Sequence, residues 1–439
     1  MTGKRSAASH TRVAALEVLR AVRRGDLADR ALDRAAGALP ARDHGFVQEL
    51  VYGTLRLRGR LDHILGRRVK GGLPRLEPDV LDVLRLGAYQ LLEMDAVPPY
   101  AAVSQSVELA RSAGAARAAG LVNGVLLAIE RERDRIDFPG PGDPLAHAVA
   151  WGSHPAWMVE RWLARWGPDD TLRLVEANNT RPELYLRLVG ITREEALERL
   201  SAAGISATPV EASPESLRIE PPTTAAEALA AVPAVVQDPA ASLVVRFAAV
   251  EPGWRVLDLC AAPGGKAAAL ADSGATVAAA DLSFRRLERL RQNVARLGLG
   301  RRVHPVQADA RTPPFREADA VLLDAPCTGT GTLRRHPDGR WRVDAEQLDA
   351  LAALQRDLLT AAAPLVRPGG LLVYSTCSLE PEENEERVAE FLELHPGFRN
   401  ESPAGAVSPS LCGAHGHLVV LPQRHGFDGA FAARLRRVA

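Results

Sequence analysis

The stretch RVLDLCAAPGGKAAAL, residues 255–270, decides the fold. Residues 256–259 form a short apolar run that reads as a buried strand. A turn of small residues follows, with Pro263, Gly264 and Gly265, and a helix is expected over 263–273. Glycine lets backbone approach a ligand closely, and the start of a helix is electropositive. Outward from this unit the same rhythm repeats. Strands are expected at 276–280, 303–307, 320–323 and 371–375, with helices at 283–297 and 345–363. Apolar runs alternating with helices predict an α/β domain with a mostly parallel sheet. Short strands at 418–421 and 430–435 are expected to close the chain as an antiparallel pair.

Acids stand at successive strand ends. Asp281 ends the second strand, where such a fold places a carboxylate to accept ribose hydroxyls. Asp309 ends the third, placed to meet an adenine edge, and Asp324 ends the fourth. The GxxxxGK[ST] spacing of a P-loop is absent, and so is the GxGxxG order of a dinucleotide site. A single adenosine-containing ligand fits better.

The fourth strand runs into LLDAPCTGTG (322–331) and the next core strand into LLVYSTCS (371–378). Cys327 and Cys377 therefore follow the carboxyl ends of parallel strands, the ligand edge of this fold. A free cysteine is ordinarily a small buried hydrophobe. That reading is kept for Cys412, and a loop-shaping one for Cys260. Two thiols brought to one edge beside Asp324 point instead to nucleophilic chemistry. A thiolate adding to carbon 6 of a cytosine makes carbon 5 an enamine nucleophile toward a methyl sulfonium. An acid bonded to ring nitrogen 3 and the exocyclic amine drains the developing charge. A base then removes the carbon 5 proton and the thiol leaves. Lys266, just after the glycine turn, is placed to depress a thiol pKa or to orient Asp324. Spacing alone does not rank the two thiols.

The chain has 439 residues, 46% hydrophobic and 25% charged, which is ordinary globular composition. No run approaches 18 uninterrupted apolar residues, so no membrane span is expected. The N-terminal MTGKRSAASHTR is basic but lacks the apolar core of a secretory signal. Four cysteines form no disulfide framework, so a reducing cytoplasm is expected. No metal is expected either, because CxxC and clustered Cys/His spacings are absent. Residues 1–140 carry 22 Lys and Arg against 17 Asp and Glu, a mild basic excess that suits an anionic partner. Of 54 cationic residues only Lys4, Lys70 and Lys266 are lysines, so each lysine draws notice. Residues 1–140 read as all helix, with a stripe at Val13, Leu16, Leu19 and Val22 and further helical segments at 46–57, 80–92, 101–113 and 121–131. DFPGPGDPL at 137–145 reads as a linker, and 141–245 as a small α+β domain before the α/β domain of 246–439. Arg334, Arg335, His336, Arg340, Trp341 and Arg342 offer cations and a stacking surface for RNA behind Cys327, and seven arginines between 285 and 302 offer a second track.

CAAPGGK (260–266), DAPCTGTG (324–331), RRHPD (334–338) with Trp341, and STCS (375–378) together resemble the RNA cytosine-5 methyltransferase family. The likeness covers residues 237–435. RVAALEVLRAV (12–22) and RDHGFVQELVYGTLRLRGRLDHIL (42–65) resemble a NusB-type helical RNA-binding domain. HPAWMVERW (154–162) and ANNTRPELYLRL (177–188) resemble the small domain that precedes the catalytic one. The combination is most similar to the branch acting on 16S ribosomal RNA. The resemblance implies a Rossmann-like S-adenosylmethionine methyltransferase domain. The donor site would comprise Cys260, Ala261, Ala262, Pro263, Gly264, Gly265, Lys266, Asp281, Asp309 and Asp324, backed by 237–241. Cys377 would be the nucleophile, and Cys327 would assist release of the methylated RNA. The partner implied is 16S ribosomal RNA or an early small-subunit assembly intermediate, with the protein a monomer. Transfer RNA as substrate, or a non-catalytic assembly factor, are the alternatives.

Overall fold

The computed structural model describes residues 8–403 and 405–438, so Lys4 lies outside the described residues. By compactness the chain divides into two units. One comprises residues up to Thr180 together with Leu333–Arg342, and the other Arg181–Thr332 with Val343–Ala439.

The first unit is helical. Its main helices are His10–Arg23, Ala28–Ala36, Ala41–Arg56, Arg58–Gly66, Pro78–Glu93, Pro99–Ser112 and Ala119–Glu132, followed by Pro144–Ala150 and Ala156–Asn179. The expected stripe holds. Leu16, Leu19 and Val22 are buried and Val13 is half-buried, on a core continued by Leu50, Leu84, Leu86 and Leu126. Burying each such side chain contributes about 1.5–3 kcal/mol. The helices at 28–36 and 58–66 lie within the stretch expected to be all helix but were not singled out in it, because each is nine residues long and gives too few turns for a clear period. The helix Ala156–Asn179 is broken at Gly167, whose φ is +74°.

The second unit begins with a four-stranded antiparallel sheet. Its strands are β1 (Leu184–Leu188), β2 (Ala207–Pro209), β3 (Ser216–Ile219) and β4 (Ala234–Val236), in the order β2-β3-β1-β4. Helices Arg193–Ala202 and Ala225–Ala231 accompany it. Thr224 and Glu227 close a reciprocal cap on the second of these, each side chain bonding the other's backbone. β2 and β4 were not expected, since three residues carry no alternation.

The larger sheet follows. Its strands are β5 (Arg255–Asp258), β6 (Thr276–Asp281), β7 (Val303–Gln307), β8 (Ala318–Asp324), β9 (Val366–Thr376), β10 (Phe398–Asn400), β11 (Leu418–Val420) and β12 (Ala430–Arg437). The order is β10-β12-β9-β8-β5-β6-β7, with β11 on β12. β7-β6-β5-β8-β9 are all parallel. β10 was not expected. β12 does pair with β11, but it also runs antiparallel to β9 from Phe431↔Thr376 to Arg436↔Leu371. Both faces of β12 are buried, from Ala430 to Arg434, so it is an interior strand and not one arm of a peripheral hairpin. Helices Gly265–Asp272, Phe284–Arg296, Ala345–Ala362 and Glu385–Leu394 belong to this domain. The parallel strands all end at one edge, which brings Asp258, Asp281, Asp324 and the residue after Thr376 together.

Candidate active site at the carboxyl edge of the parallel sheet

β5 delivers the glycine turn. Gly264 has φ +102° and a Cβ there would stand 2.8 Å from the Leu290 side chain, so only glycine suits it. At Gly265 a Cβ would meet Gln237 Nε2 at 2.7 Å, which places the 237–241 segment directly against the turn. Asp281, at the end of β6, is buried. Its Oδ2 accepts the Ala262 N–H at 3.2 Å and its Oδ1 accepts the Ser283 N–H at 2.9 Å. Arg286 stands beside it and donates to the Ala262 carbonyl. Each carboxylate oxygen retains a lone pair for a ligand hydroxyl. Asp309 is placed differently. Its carboxylate is gripped by Arg311 through Nε at 3.1 Å and a second guanidinium nitrogen at 2.7 Å, and this pairing and the Arg311 N–H hold its pKa down.

Asp258 was not singled out from the sequence. It is 1% exposed, and neither carboxylate oxygen has a hydrogen bond of good geometry. Burial pushes its pKa up to about 7, Asp324 and Asp281 push the same way, and Lys266 and the Cys260 amide oppose them. A buried carboxylate with so few partners is costly to ionise, which is why its pKa rises. The signal for it was a lone acid inside the apolar run VLDLC. Its neighbour Cys260 is also inert as a nucleophile. Burial, with Asp258, Asp324 and Asp281, pushes that thiol up to about 12.

Lys266, in the first turn of the helix after the glycines, donates to Asp324 Oδ2 at 2.7 Å. Asp324 Oδ1 accepts from Ser375 Oγ at 2.8 Å, because β8 and β9 pair in the register Asp324↔Ser375. Burial pulls the Lys266 pKa down. Asp324, Cys377 and Asp258 overcome that pull, and the net shift is upward. The side chain therefore stays an ammonium near Cys377 at neutral pH.

The two thiols meet. Cys327 Sγ lies 3.4 Å from Cys377 Sγ. The Cys327 thiol is raised well above its ordinary value, first by its hydrogen bond to Cys377, then by burial, with Glu383 adding to the shift. Either sulfur can donate to the other across this contact. Cys412 lies elsewhere, its sulfur near the Ser408 carbonyl.

The basic segment 334–342 presents only part of the surface expected of it: His336 is exposed and Arg335 and Arg342 are half-buried, but Arg334, Arg340 and Trp341 are engaged in the helical unit. Arg340 is 0% exposed and donates to the carbonyls of Arg56, Ser153, Asn178 and Leu333 and to Asn179 Oδ1. The Trp341 indole N–H donates to the Leu55 carbonyl at 2.6 Å, and the Arg58 guanidinium covers its ring. Arg334 is buried as well. These groups build the interior of the helical unit. In the 285–302 track, Arg286 and Arg296 are exposed, and each also donates to a backbone carbonyl, Ala262 and Ala234 respectively. Among the described residues no helix is long and apolar enough to cross a membrane.

Comparison with known proteins bears on the family and the fold. A family model for the 16S rRNA methyltransferase RsmB/F matches residues 246–436. A NusB family model matches 9–131, and the ferredoxin-like domain of RsmF/B-like methyltransferases matches 154–226. The probable ribosomal RNA small subunit methyltransferase B of Synechocystis sp. is 35% identical over 94% of this chain and 96% of its own. Ribosomal RNA small subunit methyltransferase B of Vibrio cholerae is 36% identical over 93% and 92%. Among solved structures, PH0851 superposes with a TM-score of 0.80 at 28% identity, covering 98% of this chain and 100% of that one. A methyltransferase homolog protein from Pyrococcus horikoshii gives 0.56 at 26% identity, covering 68% and 100%. The α/β class with a mostly parallel sheet, behind a NusB-type helical domain and a ferredoxin-like one, is the class these matches share.

Proposed function

The chain belongs to the 16S rRNA methyltransferase RsmB/F family, and from that premise we propose that it methylates carbon 5 of a cytosine in 16S ribosomal RNA through a covalent Cys377–cytosine adduct. One observation carries the reading: two thiols from different strand ends in contact at 3.4 Å, beside a lysine–aspartate pair.

S-adenosylmethionine supplies an electrophilic methyl group when bound. The buried, unpartnered Asp258 carboxylate suits the donor's ammonium, and Asp281 with the 260–266 turn suits its ribose. Asp309, although paired with Arg311, stands at the end of the neighbouring strand for the adenine side. Gln237, packed on Gly265, backs the turn.

The Cys377 sulfur attacks carbon 6 of a cytosine that has left its stack. Asp324 accepts from the exocyclic amine and shares a proton with ring nitrogen 3 as charge develops there, oriented by Lys266 and Ser375. Carbon 5 takes the methyl group, and a base such as a bound water then removes its proton; that electron pair restores the 5,6 double bond and breaks the carbon 6–sulfur bond. Cys327 assists expulsion of the Cys377 sulfur, which regenerates the enzyme.

Incubating the protein with methyl-labelled donor and small-subunit RNA tests this. Label is expected at carbon 5 of cytosine, and Cys377→Ala is expected to abolish it. Bisulfite mapping of a deletion strain separates ribosomal from transfer RNA. Failure to bind the donor would favour the non-catalytic assembly factor.

A further inference from the structure

The contact between Cys327 and Cys377 joins two turns that share no stretch of backbone, and something must hold them in register. Cys377 follows β9 directly, and its carbonyl accepts the Gly331 N–H at 2.9 Å. The residues flanking each cysteine are bound from beneath by three buried side chains. Gln355 Nε2 donates to the Pro326 carbonyl and to Glu383 Oε1, each at 2.9 Å. Glu383 Oε1 also accepts the Thr328 N–H at 2.9 Å, and Oε2 accepts the Thr328 hydroxyl. The groups before and after Cys327 are therefore both tied to the Gln355–Glu383 pair. Asn384 does the same for Cys377. Its Oδ1 accepts the Thr376 hydroxyl, and its Nδ2 donates to the Ser378 carbonyl at 2.9 Å. The two halves are joined through Thr328 Oγ1 and Ser378 Oγ, 3.1 Å apart, and through the Tyr374 hydroxyl, which donates to the Glu383 carbonyl at 2.6 Å.

Gln355 and Glu383 are 0% exposed and Asn384 is 3% exposed. A buried carboxylate surrounded by donors on both turns fixes geometry more tightly than packing, because each lost hydrogen bond leaves a buried group unpaired. Burial pushes the Glu383 pKa up, and the hydrogen bonds from Ser378, Thr328 and Gln355 pull it back.

We propose that Glu383, with Asn384 adjoining it, is a positioning residue that holds Cys327 in sulfur contact with Cys377. The role assigned to the contact rests on the methyltransferase reading, but the contact itself does not. Phenylarsine oxide distinguishes them. Its arsenic bonds both sulfurs of a close thiol pair and releases water, and it needs neither RNA nor donor.

Wild-type protein is expected to capture one equivalent, and Cys327→Ala to lose that capture. Glu383→Ala is expected to weaken capture by about tenfold or more, since small displacements of paired groups are costly. Glu383→Gln retains an acceptor for the Thr328 N–H and is expected to stay within about threefold of wild type. In turnover assays Glu383→Ala should lower kcat with KM for the donor unchanged, a split that general loosening of the fold would not give. Wild-type capture in Glu383→Ala overturns the proposal, as does absence of capture by the wild type. Should Glu383→Ala not fold, Thr328→Val takes its place, and unchanged capture there overturns it equally. Intact capture in a protein that transfers no methyl group would count against the methyltransferase reading and leave the clamp standing.

Discussion

Lys266 Nζ stands 2.7 Å from Asp324 Oδ2, so the first turn of one helix is fastened to the end of a strand 58 residues later. The same carboxylate takes the Ser375 hydroxyl on its other oxygen. Asp324 is thus fixed from two sides before any base arrives. Preorganisation of this kind is worth more than a mobile carboxylate, because no reorganisation is needed as charge develops.

Lys266→Met keeps the length of the side chain and removes the charge. We expect kcat to fall by about a hundredfold, equivalent to about 2.7 kcal/mol. Single-turnover methyl transfer to RNA, measured beside donor binding by calorimetry, checks it. Donor affinity should change much less than the rate.

Cys327→Ala should leave the first attack intact and block release. A slow-migrating protein–RNA band is expected on denaturing gels, dependent on the donor and absent in the Cys327→Ala/Cys377→Ala double variant. A band in Cys377→Ala alone would assign the nucleophile to the wrong sulfur.

Asp258 predicts a pH dependence. Its pKa in the fold is about 7 against an ordinary 3.8, so its charge becomes available to a cationic donor group only as pH rises toward 7. Donor affinity should climb between pH 5.5 and 7 with a slope of up to about one log unit per pH unit, then level off. Asp258→Asn should bind weakly with a flat profile. The same shift makes the donor-free fold less stable as pH rises through this range, because the native state holds a proton the unfolded chain has released. Thermal melts of the two proteins across pH read that difference.

Arg340→Met removes five hydrogen bonds from the interior of the helical unit and keeps the aliphatic volume. The abandoned carbonyls should cost about 3 kcal/mol. A lowered denaturation midpoint, with the effect in the helical unit by hydrogen exchange, is the expected result. A purely RNA-contacting arginine would leave that midpoint unchanged.

The pattern of elements was readable because it is local. β5 to β9 announce themselves as apolar runs bounded by Gly, Pro or acids, and the helical third by its 3.6-residue stripe. The glycine turn, Asp281 and Asp324 were readable for the same reason, since parallel strands send their carboxyl ends to one edge whatever their order in the sheet. The sequence also marked both catalytic-edge cysteines without ranking them.

Tertiary structure alone decided the rest. That Cys327 Sγ meets Cys377 Sγ depends on two strand ends 50 residues apart, and the same packing buries the Cys327 thiol and pushes its pKa up. That Asp258 is buried with its pKa raised depends on β5 lying between β6 and β8 and on Asp324 and Asp281 brought near it. That Arg340 is an interior residue depends on carbonyls from Arg56, Ser153 and Asn178, far earlier in the chain. In each case the residue type and its neighbours in sequence are ordinary. The property comes from desolvation and from which donors and acceptors long-range packing brings within reach, and no local pattern encodes that.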